Sequence, residues 1–142
     1  MPTVRVLVVD DYEPWRRFVA SEFQKLPELE IVGEASDGLG AVQQAGELHP
    51  DMILLDIGLP TLNGLEAANR IRQVAPDAKI IFLTQNSDRD VVRAALSTGA
   101  RGYVLKTDAG GELYPAMVGV LDSDNFVSSG IQWGDSGETE NT

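Results

Sequence analysis

The sequence predicts a doubly wound α/β fold, in which helices cover both faces of one parallel sheet. Continuous apolar runs alternate five times with segments of helical spacing, and nothing interrupts this order. The runs are apolar on both faces, as expected of strands buried inside a parallel sheet. Four of them end in an acid, a hydroxyl or an amine. Because the carboxyl ends of parallel strands meet at one edge of a sheet, these groups are expected to converge.

The five predicted strands differ in how apolar they are. The run Met52–Leu55 is the most apolar and is expected at the centre of the sheet, whereas Leu29–Ala35 is more mixed and is expected nearer an edge. The strands are predicted at residues 4–9, 29–35, 52–55, 79–83 and 101–105.

Five helices are predicted from apolar stripes and from residues that begin or end helices. Asp37 is expected to cap the second, and Gly99 to end the fourth. Pro115 must lie in the first two turns of the fifth, because it lacks a backbone N–H. The helices are predicted at residues 13–26, between the Asp37 cap and the stop at 49–50, over the stripe 65–75, at 88–98 and over the stripe 113–121.

Composition narrows the range of functions. The 142 residues suit one domain, the formal net charge is -11 and there is no cysteine. An acidic surface repels nucleic-acid phosphates, so we expect no direct nucleic-acid binding by this chain. The lack of cysteine excludes a disulfide framework or a thiol nucleophile and fits a cytoplasmic location. We expect no secretion signal and no membrane span.

The groups at the strand ends suggest phosphoryl chemistry. Asp10, Asp11 and Asp56 are expected to lie together after the first and third strands, where their charges repel one another unless a cation binds. Oxygen ligands without histidine or cysteine favour Mg²⁺. Asp56 is a candidate nucleophile, Lys106 a second positive charge and Thr84 a hydroxyl for a phosphoryl oxygen.

Two motifs resemble a known family, the receiver domain of two-component response regulators. They are the segment from Asp56 to Ala68, with its turn Gly58-Leu59-Pro60, and Gly102-Tyr103-Val104-Leu105-Lys106. The resemblance covers residues 4–129 and is closest to the NarL/FixJ-type receivers, which are usually fused to a LuxR-type helix-turn-helix. It implies a CheY-like, flavodoxin-like (βα)5 sandwich with strand order 2-1-3-4-5.

The resemblance also implies roles for individual residues. Asp56 would accept a phosphoryl group from a sensor histidine kinase, with Lys106 assisting. Mg²⁺ would be held by Asp10, Asp11, Asp56 and the backbone carbonyl of Gly58. Thr84 and Tyr103 would be the switch, with Tyr103 moving to a buried position as Thr84 moves. The surface of the fourth helix, fifth strand and fifth helix would then bind an unknown downstream protein or a second copy of the chain.

The chain departs from the family pattern in two places. Gln85 follows Thr84, where the family usually has a small residue, so a long amide is expected at the phosphoryl pocket. No helix-turn-helix sequence follows residue 129. Residues 130–142 form an acidic tail rich in glycine and serine, and we expect this tail to be disordered, with Trp133 as its single candidate anchor.

Other interpretations of the acidic residues are open. Asp10 and Asp11 also suit an acidic cap on the first helix. The chain is alternatively a receiver fragment of a DNA-binding transcription factor, or a degenerate receiver that works without phosphate. A haloacid-dehalogenase-type phosphatase needs a second aspartate two residues after the first, where this chain has Gly58. We therefore expect a binding switch that is not an enzyme beyond its own phosphorylation and dephosphorylation.

Overall fold

The computed structural model describes residues 3–131, which form one α/β sandwich. Six parallel strands lie in the order β2-β1-β3-β4-β5-β6, and helices cover both faces. The elements, in chain order, are β1 Val4–Val9, α1 Glu13–Phe23, β2 Leu29–Ala35, α2 Gly38–Leu48, β3 Met52–Leu55, α3 Gly64–Val74, β4 Lys79–Thr84, α4 Arg89–Ser97, β5 Gly102–Leu105, the 3₁₀ turn Lys106–Asp108, α5 Ala109–Leu121 and β6 Phe126–Val127.

The predicted strand order is confirmed, with one strand added. The most apolar run, β3, pairs with β1 on one side and β4 on the other, and every residue in it is buried. The more mixed β2 lies at one edge, as predicted. The sixth strand was missed because it has two residues and no periodicity to detect; it pairs with β5.

Side-chain caps explain where three of the helices begin. Asp37 accepts a hydrogen bond from the Gly40 amide (2.7 Å), as predicted, and Asn63 and Asp88 cap α3 and α4 in the same way. The first helix ends at Phe23, three residues earlier than predicted, because the chain turns at 24–26 before Pro27. Phe18 has the spacing of the apolar face of this helix, but it is 37% exposed and packs on Trp15.

The fifth helix begins at Ala109, which places Pro115 at its seventh residue, in the second turn. This position fits the predicted limit of two turns. The apolar stripe of α5 forms as predicted, and Leu113, Ala116, Met117 and Val120 are buried.

The core has two layers, one on each face of the sheet. One layer packs α2, α3 and α4 and contains Tyr103 and Phe82. The other packs α1 and α5 and contains Phe23 and Met117. Since the central strands are parallel, their carboxyl ends emerge at a single rim of the sandwich.

Gly130 and Ile131 belong to the tail that was expected to be disordered, but they pack against the sandwich. The predictions for the rest of the tail, including Trp133, lie outside the described residues. Between residues 3 and 131, no helix has the length and hydropathy to cross a bilayer.

Candidate functional site

Three carboxylates converge at the rim where β1 and β3 end. Asp10 and Asp56 are buried, and Asp11 beside them is exposed. One oxygen from each lies within 4.8 Å of the others. The backbone explains this convergence, because β1 and β3 pair in register up to Val9 and Leu55 and each strand is followed directly by an aspartate.

Lys106 brings a cation to these acids from the end of β5. Its Nζ lies 2.6 Å from Asp10 Oδ2 and 3.1 Å from Asp56 Oδ2. The same ammonium lies 5.1 Å from the ring centroid of Trp15 on α1, which places it over an aromatic face. Its side chain is only 10% exposed, so its position is fixed by these three partners.

Burial and charge shift the titration of this cluster. Burial raises the pKa of Asp10, and the hydrogen bonds from Lys106 and from the Tyr12 amide offset that effect only in part. Burial lowers the pKa of Lys106, but the hydrogen bond that Lys106 donates to Asp10 and the negative charge of Asp56 outweigh it and raise the pKa overall. Lys106 therefore stays charged, and burial makes Asp10 harder to ionise than an aspartate in water.

The backbone around Asp56 is tightly packed. The Ile57 amide donates to Asp56 Oδ1 (2.7 Å), and the Gly64 amide donates to the Ile57 carbonyl (2.7 Å). A Cβ on Gly64 would lie 2.0 Å from the Asp56 carbonyl oxygen. Glycine is therefore required at residue 64, where α3 begins directly against the backbone of Asp56.

Thr84 and Tyr103 are joined through one loop residue. Thr84 Oγ1 accepts from the Asn86 amide (3.3 Å), and the Tyr103 hydroxyl donates to the Asn86 carbonyl (2.5 Å). Tyr103 is fully buried, and burial together with the nearby charges of Asp56 and Asp88 raises its pKa. Of the two positions that the family resemblance implies for Tyr103, exposed and buried, this structure has the buried one.

These groups open onto one cleft of about 790 Å³. Gln85, the departure from the family pattern, lines this cleft with an exposed side chain. Gly58 lines it too, and a Cβ there would meet nothing within 4 Å, so packing does not explain the glycine. The cleft is lined by Asp10, Asp11, Tyr12, Asp56, Ile57, Gly58, Thr84, Gln85, Asn86 and Lys106.

The structure brings all the predicted site residues to this rim except Tyr103, which reaches it through Asn86. Sequence reasoning missed two contributors. Trp15 lies on the apolar stripe of α1 and packs against the core, and its ring also faces Lys106. Asn86 was not singled out, since a polar loop residue two positions after a strand carries no distinctive signal.

The donor set fits a hard divalent cation. It consists of carboxylate oxygens with one ammonium beside them, and histidine and cysteine do not contribute. Mg²⁺ prefers such ligands and keeps several of its waters, for which the open cleft leaves room. The three carboxylates therefore form an acidic pocket able to bind a metal ion.

Comparison with known proteins agrees with this geometry. The family model of the response regulator receiver domain matches residues 6–117. The transcriptional regulatory protein LiaR of Bacillus subtilis is 40% identical over 114 residues, which are 80% of this chain and 54% of that protein. DegU of Brevibacillus brevis is 37% identical over 103 residues, 72% of this chain and 44% of that protein. The chain thus spans about half the length of these relatives.

Solved structures show the same likeness. A LuxR-family two-component response regulator from Aurantimonas sp. SI85-9A1 superposes with a TM-score of 0.86 at 31% identity, covering 91% of this chain and 92% of that one. The receiver domain of the putative response regulator NarL from Mycobacterium tuberculosis gives 0.78 at 30%, covering 87% and 97%. The chain therefore belongs to the response regulator receiver domains of two-component systems, among those of the NarL/FixJ type.

Proposed function

We propose that this chain is a phosphorylation-controlled binding switch, in which Asp56 accepts a phosphoryl group from a phosphohistidine of a sensor kinase. The observation that carries the proposal is the convergence of Asp56 with Asp10, Asp11 and Lys106, whose Nζ lies 3.1 Å from Asp56 Oδ2. A cluster with the acceptor, two further acids and a fixed cation suits phosphoryl transfer, which depends mainly on positioning and charge neutralisation.

In the proposed reaction, the Asp56 carboxylate attacks the phosphorus atom, and the bond from phosphorus to the histidine nitrogen breaks. Lys106, already beside Asp56, neutralises charge on the transferred group. Asp10, Asp11, Asp56 and the Gly58 carbonyl would hold Mg²⁺, which supplies further positive charge against the phosphoryl oxygens. Thr84 turns its hydroxyl from the Asn86 amide toward a phosphoryl oxygen. Water then attacks the phosphorus atom of the acyl phosphate, inorganic phosphate leaves, and the Asp56 carboxylate is restored.

The output of this chemistry is a change of surface and not a released product. Moving Thr84 alters the loop that carries Asn86, and the Tyr103 hydroxyl is bonded to that residue. Phosphorylation therefore favours the buried Tyr103 and changes the surface formed by α4, β5 and α5, to which a downstream protein or a second copy of the chain binds. We place this switch in the cytoplasm and assign it to residues 1–129, with 130–142 as a tail whose first two residues, Gly130 and Ile131, pack on the domain.

Labelling with a small acyl phosphate and Mg²⁺, followed by mass-spectrometric site mapping, tests the proposal. We expect one labelled residue, Asp56, and no label on Asp56→Asn. Ser36→Ala serves as a processing control and should label like the wild-type chain. The assignment would be contradicted if label persisted on Asp56→Asn or mapped to Asp10 or Asp11. If the wild-type chain took no label, the alternative of a receiver that works without phosphate would be supported.

A second candidate is the receiver portion of a DNA-binding regulator. It is favoured by LiaR and DegU, which are named transcriptional regulatory proteins and of which this chain spans about half. The net charge of -11 argues that DNA contacts would come from a different domain. A reading frame that continues past residue 142 into a basic helix-turn-helix would support this candidate, whereas a stop codon there would exclude it.

A further inference from the structure

The chain after α5 folds back along the free edge of β5. Residues 126–131, here named the C-terminal strap, begin with β6. The Phe126 amide donates to the Arg101 carbonyl (3.0 Å), and the Ser128 amide donates to the Tyr103 carbonyl (2.8 Å). The strap thereby covers a strand edge that would otherwise expose unpaired backbone groups.

Apolar anchors of the strap enter both layers of the core. Phe126 packs against the layer of α1 and α5. Ile131 is 6% exposed and belongs to the layer that contains Tyr103 together with Val92 and Ala95 of α4. Those two are the buried residues of α4, so Ile131 lies in the same core layer as the buried face of α4.

Two acids near the start of α5 bind the strap by hydrogen bonds. Asp108 accepts from the Ser128 hydroxyl (2.5 Å) and from the Gly130 amide (3.2 Å). Glu112 accepts from the Ser128 hydroxyl (2.8 Å) and from both the amide (3.2 Å) and the hydroxyl of Ser129. A Cβ on Gly130 would lie 2.5 Å from Asp108 Oδ2 and 3.0 Å from Leu105 Cδ1, so alanine there would push the Asp108 carboxylate from the position in which it binds the strap.

Tyr103 connects the strap with the phosphoryl site. Its carbonyl accepts from Ser128 of the strap, and its hydroxyl donates to Asn86, whose amide donates to Thr84. Its buried ring lies in the same layer as Ile131 and Val127. The strap is therefore docked on the form of the protein in which Tyr103 is buried.

We propose that the edge of β5 and the adjoining face of α4 form a docking surface for the chain's own C-terminal strap, and that docking of the strap and phosphorylation of Asp56 stabilise each other. This inference rests on the proposed function, because it takes phosphorylation to favour the buried Tyr103. Coupling of this kind is reciprocal: whatever tightens the strap must also tighten binding of the phosphoryl group or its mimic.

The attachment of the strap suits reversible release. Its strand has two residues, it lies at the edge of the sheet, and its bonds from Ser129 to Glu112 are made at the surface. Segments with short pairing and few buried side chains open at lower free energy than the core. Release of the strap would uncover the β5 edge and leave the other five strands paired.

Hydrogen exchange of the Ser128 amide tests the coupling directly. The full chain is compared with and without beryllofluoride and Mg²⁺, with the Asp51 amide, which donates to Arg5 at the other end of the sheet, as the internal control. We expect beryllofluoride to slow Ser128 exchange at least about fivefold relative to Asp51. Unchanged exchange of the Ser128 amide would overturn the proposal. Faster exchange accompanied by a dimer would also overturn it, because a second copy of the chain would then bind the β5 edge in place of the strap.

Two glycine substitutions test the reciprocal effect. Gly130→Ala introduces the close contact with Asp108, whereas Gly111→Ala makes the same change where nothing lies within 4 Å. We expect Gly130→Ala to accelerate Ser128 exchange and to weaken beryllofluoride affinity. The loss of affinity should be about as large, as a factor, as the slowing of Ser128 exchange that beryllofluoride causes in the wild-type chain. Gly111→Ala should change neither quantity. A Gly130→Ala chain with wild-type exchange, or with faster exchange but wild-type affinity, would overturn the proposal.

Acyl-phosphate labelling separates the two possible failures. Label on Asp56 with no effect of beryllofluoride on Ser128 would overturn the coupling and leave the proposed function intact. Absence of label on Asp56 would overturn both. Ile131→Ser removes the apolar anchor without changing the backbone and should reproduce the effects of Gly130→Ala.

Discussion

This chain has two clusters of carboxylates, and the groups that balance their negative charge differ. In the first, Asp10, Asp11 and Asp56 converge around a single ammonium, that of Lys106. In the second, Asp108 and Glu112 face hydroxyls and amides of the C-terminal strap, which donate hydrogen bonds to both.

The difference lies in what neutralises each cluster. Neutral donors surround Asp108 and Glu112, and they hold the pKa of Glu112 below its ordinary value, with Ser129 contributing most. In the first cluster, burial and the charge of Asp56 act on Asp10 in the opposite direction. Acidic residues close together thus indicate a cation site only where the protein supplies too few donors of its own.

The largest expected effect is the response of stability to magnesium. Free Mg²⁺ at about ten times its dissociation constant should stabilise the wild-type chain by about 1.4 kcal/mol, because it binds the folded site. That corresponds to roughly 4–6 °C in melting temperature for a domain of this size. Differential scanning fluorimetry with and without Mg²⁺ measures the shift.

Matched variants assign this shift to one cluster. Asp11→Asn removes a carboxylate of the first cluster at an exposed position and should abolish most of the shift. Asp108→Asn removes one of the second cluster and should retain the shift. Equal responses in the two variants would show that magnesium acts on the general surface charge.

The two clusters should also respond to pH in opposite directions in the absence of metal. The folded-state pKa of Asp10 is raised, so its contribution to stability is full below 3.8 and is lost as pH rises through the folded value. The folded-state pKa of Glu112 is lowered, so its contribution is full above 4.5 and is lost as pH falls through the folded value. Urea unfolding of Asp10→Asn and Glu112→Gln against the wild type, across pH 3 to 7, should show stability differences of opposite slope.

A smaller effect is expected from the aromatic partner of Lys106. Trp15→Leu removes the ring face below the ammonium, and a cation–π contact of about 0.5–1 kcal/mol predicts roughly two- to fivefold slower labelling of Asp56. Trp15→Phe keeps a ring and removes an indole N–H that is buried and has no hydrogen-bond partner among the described residues, so it should restore most of the rate. Equal rates for the two variants would show that the ring face does not matter.

The smallest effect is expected at Gln85. Its side chain is exposed and lines the cleft, so Gln85→Ala should alter the labelling rate by less than about threefold, without changing the labelled residue. Stopped-flow labelling with a small acyl phosphate measures the rate. An identical rate would show that the amide points away from the incoming phosphoryl group.

The sequence predicted the features that depend on long patterns. Apolar runs identified the strands, and the acids that follow Val9 and Leu55 had to meet because parallel strands end at one edge. The strap was not predictable in this way, because two residues of strand and a single buried Ile131 leave no period. The contact of Trp15 with Lys106 was not predictable either. An aromatic residue on an apolar helix stripe gives the same sequence pattern whether its ring faces the core or a charged group.

The burial of Tyr103 has a consequence for what kind of signal the protein can sense. Its phenol loses its proton only at a pH far above that of any cell, because burial and the charges of Asp56 and Asp88 oppose ionisation. The hydroxyl therefore keeps its proton and stays bonded to Asn86 through ordinary swings of acidity. In the proposed switch, Tyr103 would therefore respond to phosphorylation of Asp56 and not to changes in cellular pH.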